Sequence, residues 1–257
     1  MSPALLLLPD PTATGDGLPP ELAAVLTDVR SALPGVPVSA SLSELLEQGH
    51  REVVALPLVP GAAGYDPRIL ELALRRQAPG ATVTLARALG PHPLLVELAA
   101  RRVLAVLDGA VLDGVEPAPV GVLVVGPGSL DPEANAEVAK VARLLQEGRD
   151  LAIVEVAYLA ETGPDVTGGL ARCRALGAER VVVLPHVVVD PGLADRVRAQ
   201  LAGQEHVYLA GHLDASPELT ALVVERYHEA CHGDLRMSCD VCAYRELQPH
   251  PHEHAGV

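Results

Sequence analysis

Short apolar runs alternate with longer amphipathic stretches along almost the whole chain. Residues 4–8 (ALLLL) are apolar throughout and read as a short buried strand. Over 20–33, Leu22, Val25, Leu26, Val29 and Leu33 recur every three or four positions, which predicts a helix with one buried face. The alternation continues with strands over 36–41, 51–59 and 81–89 and helices over 41–49, 68–77 and 91–106. Ser41 or Ser43 is placed to cap the helix over 41–49, and Gly49 to stop it. The run at 51–59 (REVVALPLV) does not alternate polar with apolar, as expected of a strand covered on both faces. Residues 107–119, with Asp108, Gly109, Asp113, Gly114, Pro117 and Pro119, read as a linker, and then the pattern restarts. Strands are predicted over 121–126, 151–159, 179–189 and 206–211, and helices over 133–147, 165–177, 192–201 and 217–230.

The two halves repeat each other. HREVVALPLVPG (50–61) matches AERVVVLPHVVVD (178–190), with Leu56-Pro57 in the place of Leu184-Pro185. Each half is strand–helix repeated four times. That order predicts an α/β fold of two similar lobes, each a four-stranded parallel sheet with helices on both faces. The lobes are expected over 1–113 and 119–231, with a Cys/His-rich tail over 232–257. Ligands of such sheets bind beyond the carboxyl ends of the strands, so the loops after residues 8, 59, 126 and 187 are the candidate site.

Composition removes some classes. Hydrophobic residues make up 49% of the 257, so a sizeable core is available; with no Trp or Phe, it must be built from Leu, Val and Ala. The net charge is −14, no Lys/Arg cluster is visible, and five Tyr are the only aromatics, which argues against nucleic acid as a partner. No apolar run approaches the ~20 residues needed to span a bilayer. Met1–Leu8 lacks a basic flank and Asp10 interrupts it, so a secretion signal is not expected. Four cysteines do not suggest a disulfide framework, which fits a reducing, cytoplasmic setting.

The most chemical stretch is GDLRMSCDVCAYR (233–245), with Met237, Cys239 and Cys242 in a Met-x-Cys-x-x-Cys arrangement. Cys231 and His232 precede it, and His250, His252 and His254 follow. Two cysteines at this spacing can share a metal or a cluster corner, form a redox pair, or do neither. Redox pairs of the thioredoxin type sit between a strand and a helix; a pair in a terminal tail favours metal. His186, at the end of VLPHVVV, is either a satisfied core histidine or a site residue at a strand's carboxyl end. His92, between two prolines at a helix start, reads as a cap, and Cys173, within a helix, as buried.

Several stretches together resemble the sirohydrochlorin chelatases, which insert cobalt or iron into a tetrapyrrole. VEVAYLAETGPDVTGGLARCRALGAERVVVLP (154–185) is similar to that family's central strand–helix–strand, LVVGPGSLDPEAN (123–135) to its first loop, and LGPHPLL (89–95) to another recurrent segment. The tail resembles that of the long cobalt chelatases of cobalamin synthesis, which carry an iron–sulfur cluster. The resemblance implies a chelatase-like fold, lyase activity, a sirohydrochlorin substrate and a divalent substrate metal. It also implies a cluster on Cys239 and Cys242, with Cys231 as a further ligand. The chain would be a monomer, or a homodimer if a second copy completes the cluster.

The family's first-loop histidine is replaced here by Pro127 in the second half, while Asp10 comes nearest in the first. The loop expected to carry the second histidine is PGAAGYDP, which offers Tyr65 and Asp66. Ser129, Asp131 and Pro132 persist, and Ser129 is the candidate for substrate contact. Asp10, Asp66 and His186 are therefore the expected catalytic groups, carboxylates standing in for the missing imidazoles. Asp beside Pro is also common in plain turns. The alternative to an enzyme is a degenerate relative that only binds a metal or a cluster.

Overall fold

The computed structural model describes residues 2–9, 20–61, 67–112, 119–149, 151–189 and 191–233. In the first half, β1 (Ala4–Leu8), β2 (Val38–Ser39), β3 (Glu52–Pro57) and β4 (Thr82–Leu85) form one parallel sheet. Between them run α1 (Pro20–Ala32), α2 (Leu42–Glu47) and α3 (Pro67–Gln77), and α4 (Pro93–Leu112) follows. In the second half, β5 (Val120–Gly126), β6 (Ile153–Tyr158), β7 (Arg180–Pro185) and β8 (Val207–Leu209) form a second parallel sheet. They are connected by α5 (Pro132–Arg149), α6 (Val166–Ala175) and α7 (Pro191–Gln200), and α8 (Pro217–His232) closes the fold. The strand orders are β2-β1-β3-β4 and β6-β5-β7-β8, the same topology twice, as the repeat predicts.

The side-chain period of two sorts each central strand between two cores. Leu5, Leu7, Val54 and Leu56 from the first sheet and Val122, Val124, Val182 and Leu184 from the second belong to one shared core. The alternate residues face outward: Ala4, Leu6, Val53 and Ala55 toward Leu45 and Leu74 of α2 and α3, and Leu123, Val125, Val181 and Val183 toward Leu170 and Val197 of α6 and α7. Helices α1, α4, α5 and α8 fill the middle layer. Both faces of each sheet are thus covered, which is why the central strands do not alternate polar with apolar.

The last helix of each half packs across onto the other: α8 lies on β3, α1 and α4, and α4 lies on β7 and α5. Matching residues fix the exchange. His92 and Ser216 are the N-caps of α4 and α8: the His92 Nδ1 accepts the Leu94 N–H at 3.2 Å, and the Ser216 Oγ accepts the Leu219 N–H at 3.1 Å. Arg102 and Arg226 follow these caps by the same interval. Arg102 pairs with Asp214, beyond β8. Arg226, 1% exposed, donates to the carbonyls of Ala88 and Leu89, beyond β4, at 3.1 and 3.0 Å. The Glu229 carboxylate completes that clamp, accepting from Arg226 and from Arg87.

Several element ends differ from the sequence reading; the strand read over 179–189, for example, is Arg180–Pro185. The strand expected over 36–41 is two residues long, because Ser39 and Ser41 turn their hydroxyls to the start of α2. The strand expected over 81–89 stops at Leu85; residues 86–89 stay beside β3 through single bonds, Ala86 N–H to Ala55 O and Leu89 N–H to Val59 O. Helix α4 starts at Pro93 under the His92 cap and runs to Leu112, into the stretch read as a linker. No described helix is long and apolar enough to cross a membrane.

Candidate active site

The carboxyl ends of both sheets meet at a cleft. The first lobe contributes the chain leaving β3, Leu58 to Gly61. The second contributes Pro127 after β5, Ala134, Glu137 and Val138 of α5, His186 to Val188 after β7, and Leu193 of α7. The lining is mostly apolar, and its imidazole and carboxylate stand out for that reason.

His186 is 2% exposed. Its backbone N–H donates to the Val125 carbonyl at 2.7 Å, which extends the β5–β7 pairing by one residue and fixes the side chain's origin. Its Nδ1 is enclosed and has no hydrogen-bond partner. Burial lowers the ring's pKa to about 4, so the imidazole is neutral over the physiological range. His186 is thus buried with one ring nitrogen unsatisfied.

The loop after β5 is held tightly. The Leu159 and Ala160 N–H groups donate to the carbonyls of Gly126 and Pro127, both at 3.1 Å. Gly128 has φ +83°, and a Cβ there would lie 1.9 Å from the Ala160 oxygen, so only glycine fits. Ser129 is half-buried; its Oγ accepts the Asp131 N–H at 3.0 Å, and its backbone exchanges two bonds with the Asn135 amide. The Asp131 carboxylate accepts the Glu133 N–H at 3.0 Å and starts α5. Ser129 therefore builds the loop two residues beyond Pro127, and its hydroxyl proton remains available to a ligand.

Asp10 and Asp66 lie outside the described residues. The strands that lead to them are adjacent: Leu8 pairs with Pro57, and the Leu58 N–H donates to the Leu8 carbonyl at 2.7 Å. Cys239 and Cys242 also lie outside the described residues. Cys231 is exposed on the last turn of α8. Burial, and then the neighbouring Cys231 thiol, raise the pKa of the Tyr227 phenol, which donates to the Pro3 carbonyl at 2.6 Å. Helix α8 thus packs beside the start of β1, at the edge of the first sheet opposite the cleft. Among the described residues no group of three or more His, Cys, Asp and Glu converges as a metal centre, and of the expected cluster ligands only Cys231 is placed. The described residues alone do not make a site for an iron–sulfur cluster. Cys173 is fully buried on α6, its thiol pKa raised to about 11 by burial and then by Glu155.

Glu137 escaped the sequence reading. The signal was there: on α5 the buried residues Ala134, Val138, Val141 and Leu145 form one stripe, and position 137 falls on it. The clamp residues Arg226 and Glu229 also escaped it, because their partners lie more than a hundred residues away in sequence.

The sequence profile of the CbiX family matches residues 32–106 and 121–230. The chain is 29% identical over 217 residues to a sirohydrochlorin cobaltochelatase of Priestia megaterium, covering 81% of this chain and 70% of that one. Its fold is that of SirB from Bacillus subtilis with Fe3+, at a TM-score of 0.66 and 19% identity over 93% of this chain and all (100%) of that one. SirB of Bacillus subtilis subspecies spizizenii in complex with cobalt matches at 0.64 and 18% identity, covering 91% and 97% of the two chains.

Proposed function

The chain belongs to the CbiX family, and we propose on that premise that it is a metal chelatase, a lyase inserting cobalt or iron into sirohydrochlorin. Cobalamin or sirohaem synthesis would use the product. The observation that carries the reading is the neutral, buried imidazole of His186 in the cleft between the lobes. A neutral imidazole has a lone pair for a divalent metal, and protons do not compete for it near pH 7. An apolar cleft suits a flat macrocycle and strips water from the metal before transfer. The relatives add support, since one is a cobaltochelatase and structural neighbours hold iron or cobalt.

In this reading His186 binds the incoming metal. Asp10 and Asp66, on the chain leaving β1 and β3, take the pyrrole protons. The Ser129 hydroxyl donates to an anionic substituent of the macrocycle. Metal insertion exchanges two N–H protons for one divalent cation with no change of oxidation state. Cys239 and Cys242, with Cys231, would hold the tail's own metal or cluster, apart from the reaction.

Pro127 favours a second reading. It lines the cleft where the family's first histidine is expected, and a proline ring neither binds metal nor takes a proton. A member degenerate in catalysis would still bind metal. Mixing the protein anaerobically with sirohydrochlorin and Co2+ and following the tetrapyrrole spectrum distinguishes the two. The chelatase reading expects insertion well above the protein-free rate; equal rates overturn it.

A further inference from the structure

Helix α8 ends in the sequence His228-Glu229-Ala230-Cys231-His232, and all five residues are helical. Residues four apart on a helix share one face, with Cβ atoms about 5–6 Å apart. His228 and His232 are both exposed, so two imidazoles project into solvent from one side of the last turn. Gly233 fixes that turn: it takes the left-handed conformation, φ +74°, and its N–H donates back to the Ala230 carbonyl at 3.3 Å. The last carbonyls of a helix carry its negative end, which favours a cation there. His-Glu-x-x-His on a helix is also the spacing of zinc hydrolase sites, where the glutamate is the general base. That role is closed to Glu229. Its carboxylate is largely buried and accepts from Arg226 and Arg87, both at 3.0 Å. Only the metal-holding half of the pattern is left. Cys231 lies beside Tyr227, and among the described residues no third His, Cys, Asp or Glu completes the pair into a larger centre.

We propose that His228 and His232 together bind one divalent transition metal ion of the zinc class, on the face of the molecule opposite the cleft. Imidazole nitrogens suit zinc, nickel, copper and cobalt, whereas calcium and magnesium take oxygen ligands. Two protein ligands leave the other positions to water, so the ion exchanges with solvent. The bound ion ties two successive turns of α8 together. It thereby holds the end of the helix whose Tyr227 phenol donates to the Pro3 carbonyl at 2.6 Å. This site does not depend on what the cleft does, and its ion is not the one inserted there.

Zn2+ binding is measured by calorimetry on the full chain, and hydrogen exchange of the α8 amides is followed with and without Zn2+. The proteins are wild type, His228→Gln, His232→Gln, the double His variant, and a Cys239→Ser/Cys242→Ser variant that removes the tail thiols. Both histidines are exposed, so changing them leaves the core intact. Each single His change should weaken one zinc site by about 10-fold or more, and the double His variant should lose that site. With Zn2+ about 100-fold above the dissociation constant, opening of the last turn of α8 should slow by up to about 100-fold in wild type. The same slowing should persist without the tail thiols and vanish in the double His variant. Unchanged zinc affinity in both single His variants would overturn the proposal. Protection of the last turn that survives the double His change would overturn it too. So would protection that disappears with the tail thiols, which would assign the ion to the tail.

Discussion

Leu58 and His186 occupy the same place in the two lobes. Each follows a Leu-Pro pair at the end of its lobe's third strand, and each lines the cleft. Each donates its backbone N–H to the neighbouring first strand at 2.7 Å, Leu58 to Leu8 and His186 to Val125. The agreement extends outward: Ala86 to Ala55 and Ala210 to Val183 are both 2.8 Å, and Leu89 to Val59 and Leu213 to Val187 are 3.1 and 3.0 Å. Two nearly identical backbones thus carry a leucine on one side and an imidazole on the other. The repeat is a property of apolar strands, caps and turns, which do not depend on what stands at the strand ends. Chemistry is free to differ there, and among the described residues it is concentrated on the second lobe, with His186 and Glu137.

The largest expected effect comes from breaking what joins the lobes. Arg226 is buried and balanced by Glu229, which also holds Arg87. Glu229→Ala removes the carboxylate that Arg226 and Arg87 share and should cost about 3–5 kcal/mol in denaturant unfolding. A loss within the range of an exposed ion pair, under about 1 kcal/mol, would mean that the clamp does not hold the lobes together.

The next effect is confined to one lobe. The His186 pKa of about 4 lies below its ordinary value, so the unfolded chain takes up the proton first as pH falls. Stability is therefore fully present above about pH 6.5 and is lost down to about pH 4, by on the order of 3 kcal/mol. His186→Leu, which copies Leu58 onto the second lobe, should remove this part of the acid sensitivity. Unfolding free energies of both proteins at pH 7 and pH 4 check it; parallel pH profiles would contradict the assignment.

The reciprocal change sharpens the comparison. Leu58→His places an imidazole at a position that is 0% exposed and packed in the shared core. It should cost about 2 kcal/mol. A smaller effect tests the caps: Ser216→Ala removes the bond to the Leu219 N–H and should cost about 1 kcal/mol.

Much of this was legible in the sequence. The strand at 4–8 lies where the apolar run predicts it, and the doubled Leu-Pro revealed the repeat. Local signals failed where tertiary contacts took over. Asp108 and Gly109 read as a linker, yet α4 stays helical through them, and it is the helix that packs on α5 and β7. The exchange of α4 and α8 between lobes has no local signature. His186 was found because a histidine in an apolar strand end is conspicuous. Glu137 was not, because a glutamate on a helix reads as a solvated face until its position on the buried stripe is noticed.

The central claim is that this cleft inserts metal through His186. The direct measurement is the rate of Co2+ insertion into sirohydrochlorin by wild type and by His186→Leu at pH 7, with folding of both verified. The account predicts catalysis by wild type and a fall of about 100-fold in His186→Leu, as when a metal-handling ligand is removed. Equal rates for the two proteins would contradict it.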